Sequence, residues 1–353
     1  MRLECINKVK ENDVVGRSIL TQSGQILLRE GMKLSPSYIN KLKQLGVLFI
    51  YIVDERLGDI LVDDERLTQL KQVTMKSMSG IMKNVYSSDS KKLGQSLETV
   101  DNMIEYIIKF GNVNTSLYDI KTYDNYTYLH SLDTCIMSAF LGLSSGFNEW
   151  ELKQLGVGAI LHDIGKTKLP LKIINKQGKL TKEEYDEVKN HTIYGGEMLR
   201  KNYTISNSII NIVEQHHERI DGTGYPKGLK GNEITKLSKV VCICDVYDAV
   251  SNNRCYRTKF SPNDAYELIL AGSGTSFDRQ MVVNFKNTFA IYPIGCCIRL
   301  SSGEEGYVIA QNHGFPDRPI IRVLYDAKTN APVAIYEIDL LKNLSVVVSS
   351  IAS

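Results

Sequence analysis

The sequence predicts a mainly α protein, a helical bundle domain with a small α/β unit before it and a small β unit after it. Three observations carry that prediction. Residues 119–290 hold repeated helix-start signals joined by short connections. Residues 1–62 alternate β-rich runs with one well-punctuated helix, and residues 291–353 turn to short β-like runs separated by turn residues.

In the first unit, Val14–Leu20 and Gln25–Leu28 flank Ser23-Gly24, which predicts a hairpin. Ser35-Pro36 opens a helix as N-cap and first helical residue, and Gly46 closes it from the C′ position. Leu48–Val53 follows as a β-rich run. Residues 63–118 read as a helical linker broken at Ser87-Ser88-Asp89-Ser90, and a homodimer contact through this helix pair stays open. Within 119–290, Asn148 with Glu151 and Thr181 with Glu184 are capping boxes, and Ser261-Pro262 starts another helix. In the last unit, Cys296–Leu300, Gly306–Gln311, Ile320–Tyr325 and Val333–Ile338 are the β-like runs, with turns at Gly303, Asp317 and Asn330. A small barrel or sheet is expected there.

The bulk numbers exclude several classes. The 42 basic and 40 acidic residues leave a formal charge of +2, so a globally basic binder of DNA or RNA polymers is not indicated. No segment approaches the ~18 consecutive apolar residues of a membrane span. The start, Met1-Arg2-Leu3-Glu4, is charged and lacks a signal-peptide core, so a cytoplasmic protein is expected. None of the seven cysteines forms a Cys-x-x-Cys pair, which points to buried reduced thiols rather than a zinc knuckle.

Five of the six histidines lie in the helical region. The helix from Glu149 carries apolar residues at Leu152, Leu155, Ala159 and Ile160 and runs into His162-Asp163-Ile164-Gly165-Lys166. A carboxylate has two oxygens and bridges two cations, which imidazole does not do, so adjacent His and Asp suit a two-metal site. In the helix Ser206–His217, His216 continues the inward stripe of Ile209, Ile212 and Val213, and His217 follows Ile210 and Val213. Neutral imidazoles there need a cation or hydrogen-bond partners. In Leu237–Ser251, Val241, Asp245 and Asp248 share one face. Asp245 is the metal candidate; Asp248 is open between supporting a ligand and touching substrate. Gly222, Gly224 and Pro226 form a tight loop around Tyr225, whose ring either stacks on a base or packs locally, the substrate pocket being the preferred reading. His313, between Asn312 and Gly314, reads as a surface turn.

His162-Asp163 with Lys166, and His216-His217-Glu218-Arg219-Ile220-Asp221-Gly222-Thr223-Gly224-Tyr225-Pro226, closely resemble the HD-GYP branch of the HD phosphohydrolases. The resemblance runs from about Asp119 to Phe289. It includes Asp124-Asn125-Tyr126-Thr127-x-x-His130-Ser131, His191 followed by Gly195-Gly196, Asp245-x-x-Asp248-Ala249, and Arg254-Cys255-Tyr256-Arg257. It implies an HD-type helical bundle that hydrolyses cyclic di-GMP to linear pGpG, GMP or both, with a binuclear iron or manganese centre holding a hydroxide. The implied ligands are His130, His162, Asp163, His191, His216, His217 and Asp245, with Asp163 bridging. The implied substrate contacts are Lys166, Tyr225, Arg254 and Arg257, with Asp163 and Lys166 catalytic. Arg219 and Asp221 would organise the signature loop. Some members place a Glu one turn before the first histidine for a third metal; Tyr126 stands there, so two metals are expected. The alternatives are a phosphodiesterase for another cyclic dinucleotide, or a weakly catalytic module that senses the nucleotide or docks a diguanylate cyclase domain.

Overall fold

A computed structural model describes residues 1–21, 25–47, 49–60, 64–87, 89–111, 127–176, 178–201, 205–251, 262–326, 329 and 331–351. These residues fall into two compact units, one from Met1–Thr68 and Lys286–Ser353, the other from Gln69–Val113 and Asn125–Phe285.

In the first unit, β1 (Arg2–Cys5) pairs antiparallel with β4 (Phe49–Ile52), Leu3 opposite Tyr51. Between them lie the hairpin β2 (Ile19–Leu20) and β3 (Ile26–Leu28) and the helix α1 (Pro36–Gln44). The Ser35 hydroxyl accepts from Tyr38 N, and Gly46 sits at φ +78°, so both predicted ends of α1 are built as the residues require. Val15, Leu34, Leu42 and Ile52 form the local core. The C-terminal part is one antiparallel sheet of β5 (Cys297–Leu300), β6 (Glu305–Asn312), β7 (Phe315–Tyr325), β8 (Pro332–Asp339) and β9 (Val348–Ile351), ordered β8-β7-β6-β5-β9.

Several sequence expectations change here. β1 and β9 are too short and polar to announce themselves without their partners. Asp317 lies inside β7, because Gly314 at φ +76° takes the turn instead. His313 is exposed in that turn, as expected. Ser23, Gly24 and Asn330 lie outside the described residues. Leu3 N donates to Gly295 O at 2.8 Å, and Leu3 bridges Cys296 in parallel. Residues from the two ends of the chain thus fall in one compact unit.

The second unit is helical. It holds α2 (Glu65–Tyr86) from Gln69 onward and α3 (Ser90–Phe110), capped by Asp89 where the break was predicted. Then come α4 (Thr127–Ser144), α5 (Glu149–Leu161), α6 (Leu171–Ile174), α7 (Lys182–Lys189), α8 (His191–Arg200), α9 (Asn207–Gln215), α10 (Lys236–Ser251), α11 (Pro262–Ala271) and α12 (Arg279–Thr288). Both predicted capping boxes, Asn148 with Glu151 and Thr181 with Glu184, are present. α3 packs closely on α5, since a Cβ at Gly156 of α5 would meet Ile104 Cδ1 at 2.7 Å. Close packing of this kind sets the positions of the helix ends that carry the histidines. Cys135, Cys242 and Cys244 are buried free thiols, and burial pushes the Cys242 thiol up to about 12. Among the described helices, none is long and apolar enough to cross a membrane.

Candidate metal centre

Five α-helices and one 3-10 turn deliver ligands to one place. His130 comes from α4; His162 ends α5; Asp163 precedes the 3-10 turn Ile164–Lys168; His191 starts α8; His216 and His217 follow the last turn of α9; Asp245 lies within α10. α9 stops at Gln215, slightly before the predicted end at His217. The seven side chains form two groups, Asp163, His191, His216 and His217 in one and His130, His162 and Asp245 in the other, with ligand atoms within 4.8 Å of one another in each.

Glycine makes the approach physically allowed. A Cβ at Gly165 would lie 1.9 Å from His191 O and 2.6 Å from Gly195 N. Without one, the turn after Asp163 packs against the start of α8, and His191 Nε2 comes to 3.4 Å from Asp163 Oδ1. Oδ1 also faces His216 Nε2 at 3.8 Å, while Oδ2 faces His162 Nε2 at 3.4 Å. One carboxylate thus turns an oxygen toward each group.

The histidine tautomers follow from the helix ends. His162 Nδ1 is 2.7 Å from Ala159 O, His191 Nδ1 is 2.6 Å from Val188 O, and His216 Nδ1 is 2.9 Å from Val213 O. A carbonyl only accepts, so each Nδ1 carries the proton and each Nε2 presents a lone pair. His191 Nε2 and His216 Nε2 then face each other at 3.3 Å as two acceptors. That contact is repulsive unless a cation sits near both. His162 Nε2 and Asp163 Oδ1 are buried with no hydrogen-bond partner among the described residues. These orphaned atoms, together with the imidazole and carboxylate donor set, fit first-row divalent metals.

Electrostatics keep Asp163, His191, His216 and His217 in ligand form. Burial lowers His191, lowers His216 strongly, and pushes His217 down to about 3, so these imidazoles stay neutral. Burial alone would raise the Asp163 carboxyl, but Lys166 and His162 outweigh it and hold it well below the carboxylate range. Lys166 Nζ lies 2.5 Å from Asp163 Oδ2. His130 is different: burial would lower it, yet Asp245 at 2.9 Å and Asp248 at 2.7 Å hold it well above the usual histidine value.

Of the remaining expected residues, Asp248 is fully buried and engages His130 Nδ1 at 2.7 Å, behind that ring rather than at the surface. Tyr225 is half-buried, its ring 4.7 Å from that of His217. Asp221 Oδ1 accepts from Thr223 N at 2.9 Å at the loop tip, and Arg219 is exposed. Arg254, Arg257 and Tyr126 lie outside the described residues.

Glu218 is the residue that sequence reasoning left without a role. It is 2% exposed and accepts from Lys227 N at 2.7 Å and Leu229 N at 2.9 Å. It clamps the loop that returns Tyr225 N to His217 O at 3.2 Å. An acid directly after two ligand histidines was the available signal.

Residues 125–281 match the profile of the HD domain family, and residues 297–353 match that of the KOW domain associated with HD domains. The chain is 34% identical over 255 residues to a cyclic di-GMP phosphodiesterase of Pseudomonas aeruginosa, covering 70% of this chain and 61% of the relative. It is 29% identical over 168 residues to a 3'3'-cGAMP-specific phosphodiesterase of Vibrio cholerae, covering 48% of this chain and 36% of the relative. The chain thus spans less than two thirds of either relative's length. The solved structure of Bd1817, an HDG"Y"P protein from Bdellovibrio bacteriovorus, aligns with TM-score 0.54 and 17% identity, over 80% of this chain and 97% of that one, a likeness of fold.

Proposed function

We propose that the chain, whose residues 125–281 match the HD domain family, is a metal-dependent phosphodiesterase of cyclic dinucleotides, with cyclic di-GMP as its substrate. The observation that carries this is the pair of ligand groups meeting at Asp163, whose two oxygens face different histidines. The names of the relatives support the substrate class.

We assign His191, His216, His217 and Asp163 to one cation, and His130, His162, Asp245 and the second oxygen of Asp163 to another, with iron or manganese as the metals. When bound, such a pair supplies Lewis acidity and positive charge against a phosphodiester that otherwise repels nucleophiles. The chain's own residues do the rest. Lys166 holds Asp163 ionised and offers its ammonium to a non-bridging phosphate oxygen as a point charge. Glu218 fixes the loop so that Tyr225 stands over the His217 ring, as a wall for a nucleobase. Arg254 and Arg257 are assigned to the second phosphate or a guanine edge. One water is consumed for each P–O bond broken, and the first cleavage opens the ring to the linear dinucleotide.

The second reading changes the base, not the chemistry, and is favoured by the relative specific for 3'3'-cGAMP. Anaerobically purified protein incubated with Mn²⁺ or Fe²⁺ and a panel of cyclic dinucleotides separates the two. Consumption of cyclic di-GMP is expected; consumption of a mixed-base ring alone would replace the substrate, and no turnover with less than one metal per chain would favour a binding module.

A further inference from the structure

Beside the metal centre stands a second group of side chains. The Tyr225 ring packs 4.7 Å from His217; Lys189 Nζ lies 6.0 Å from the Tyr225 ring centroid and 4.7 Å from that of Tyr185. His217, Tyr225, Lys189 and Tyr185 therefore form a stepped series from a ligand histidine to solvent. Tyr185 is 48% exposed and sits on α7, which buries none of its residues. A helix without buried anchors that keeps a large ring half open gains little packing from it. The ammonium of Lys189 is held at this spot by Asp186, 2.7 Å away, rather than left to wander.

We propose that Tyr185 and Lys189 form an outer substrate-binding step, in which the exposed Tyr185 ring stacks on a purine base and Lys189 offers positive charge to the phosphate next to it. The assignment rests on the cyclic dinucleotide reading above. A cyclic dinucleotide held by one phosphate at the metals still carries a base and a second phosphate that need a surface outside the centre. An aromatic face beside a cation is the chemistry that takes both, and it tolerates any purine because stacking reads the π face. Substrate breadth then depends partly on α7, a segment outside the signature loop.

The test compares kcat/KM with Mn²⁺ for a cyclic dinucleotide and for bis(p-nitrophenyl) phosphate, a small diester with neither purine nor second phosphate. Tyr185→Ala is expected to lose roughly 5–100-fold on the cyclic dinucleotide, mostly in KM, as for removal of one stacking partner. The loss on the small diester is expected to be several-fold smaller, which also reports a folded centre. Tyr185→Phe keeps the ring and is expected to stay close to wild type on the cyclic dinucleotide. Lys189→Ala is expected to raise KM and weaken its dependence on salt. Equal losses on both substrates, or no loss in Tyr185→Ala while the wild type turns over the dinucleotide, would overturn the outer step alone. A wild type that cleaves only the small diester would overturn the underlying substrate reading as well.

Discussion

His130 Nδ1 lies 2.7 Å from Asp248 Oδ2, joining α4 to α10 through a ligand-type histidine and a fully buried acid. The other ring nitrogen, Nε2, faces Asp245. Asp248 thus fixes the ring of His130 and enriches its basicity, as a carboxylate does behind a metal-bound imidazole. Asp248→Asn keeps the shape and removes the charge. Metal affinity is expected to fall roughly 10–100-fold, read by titrating apo-protein with Mn²⁺. An unchanged affinity would leave Asp248 with a packing role only.

Asp163 is the point at which the two ligand groups meet. Asp163→Ala is expected to lose both metals and phosphodiesterase activity together, measured by metal analysis after anaerobic purification and by turnover. Retained turnover would sink the bridging assignment.

Glu218 accepts from two backbone N–H groups at a buried position. Glu218→Ala leaves both donors unpaired, a cost of about 1–3 kcal/mol each. Denaturant unfolding is expected to report a loss of roughly 2–6 kcal/mol by that estimate, with a rise in KM as Tyr225 loosens. A change below about 0.5 kcal/mol, the scale of a neutral surface substitution, would mean that the loop holds itself.

Asp54 governs an acid response in the other unit. Burial would raise its carboxyl, but hydrogen bonds from Arg56 at 2.6 and 2.8 Å and from Arg2 at 2.9 Å hold it well below the ordinary value of 3.8. The unfolded chain then binds more protons here than the folded one. The stabilisation is complete above the ordinary carboxylate range and is lost as pH falls below it. Asp54→Asn is expected to lower the melting temperature near neutral pH and to flatten its fall between roughly pH 5 and pH 3. Parallel acid limbs in the variant and wild type would refute this.

Legibility differed with the range of the physics involved. The ends of α1, α5 and α7 were readable because a cap acts through bonds three residues apart, as Asn148 and Glu151 do. The inward histidines were readable because His216 continues a stripe set by Ile209, Ile212 and Val213. Glu218 was not, because its partners Lys227 and Leu229 belong to a loop whose return path no periodicity records. The edge strands β1 and β9 were not either, since short polar runs become strands only when a neighbour supplies the ladder.

By itself, the sequence determined the residue types of the centre, the helices that carry them, and a chemistry of neutral imidazoles with acids that asks for metal. Each of those follows from local composition and spacing. The tertiary structure alone decided that Asp163 turns one oxygen to His191 and His216 and the other to His162, that Asp248 stands behind His130, and that the first and last segments share one unit. Those relationships join residues far apart in the chain, and they exist only because close packing, at contacts such as Gly165 against His191, leaves the helices few ways to approach.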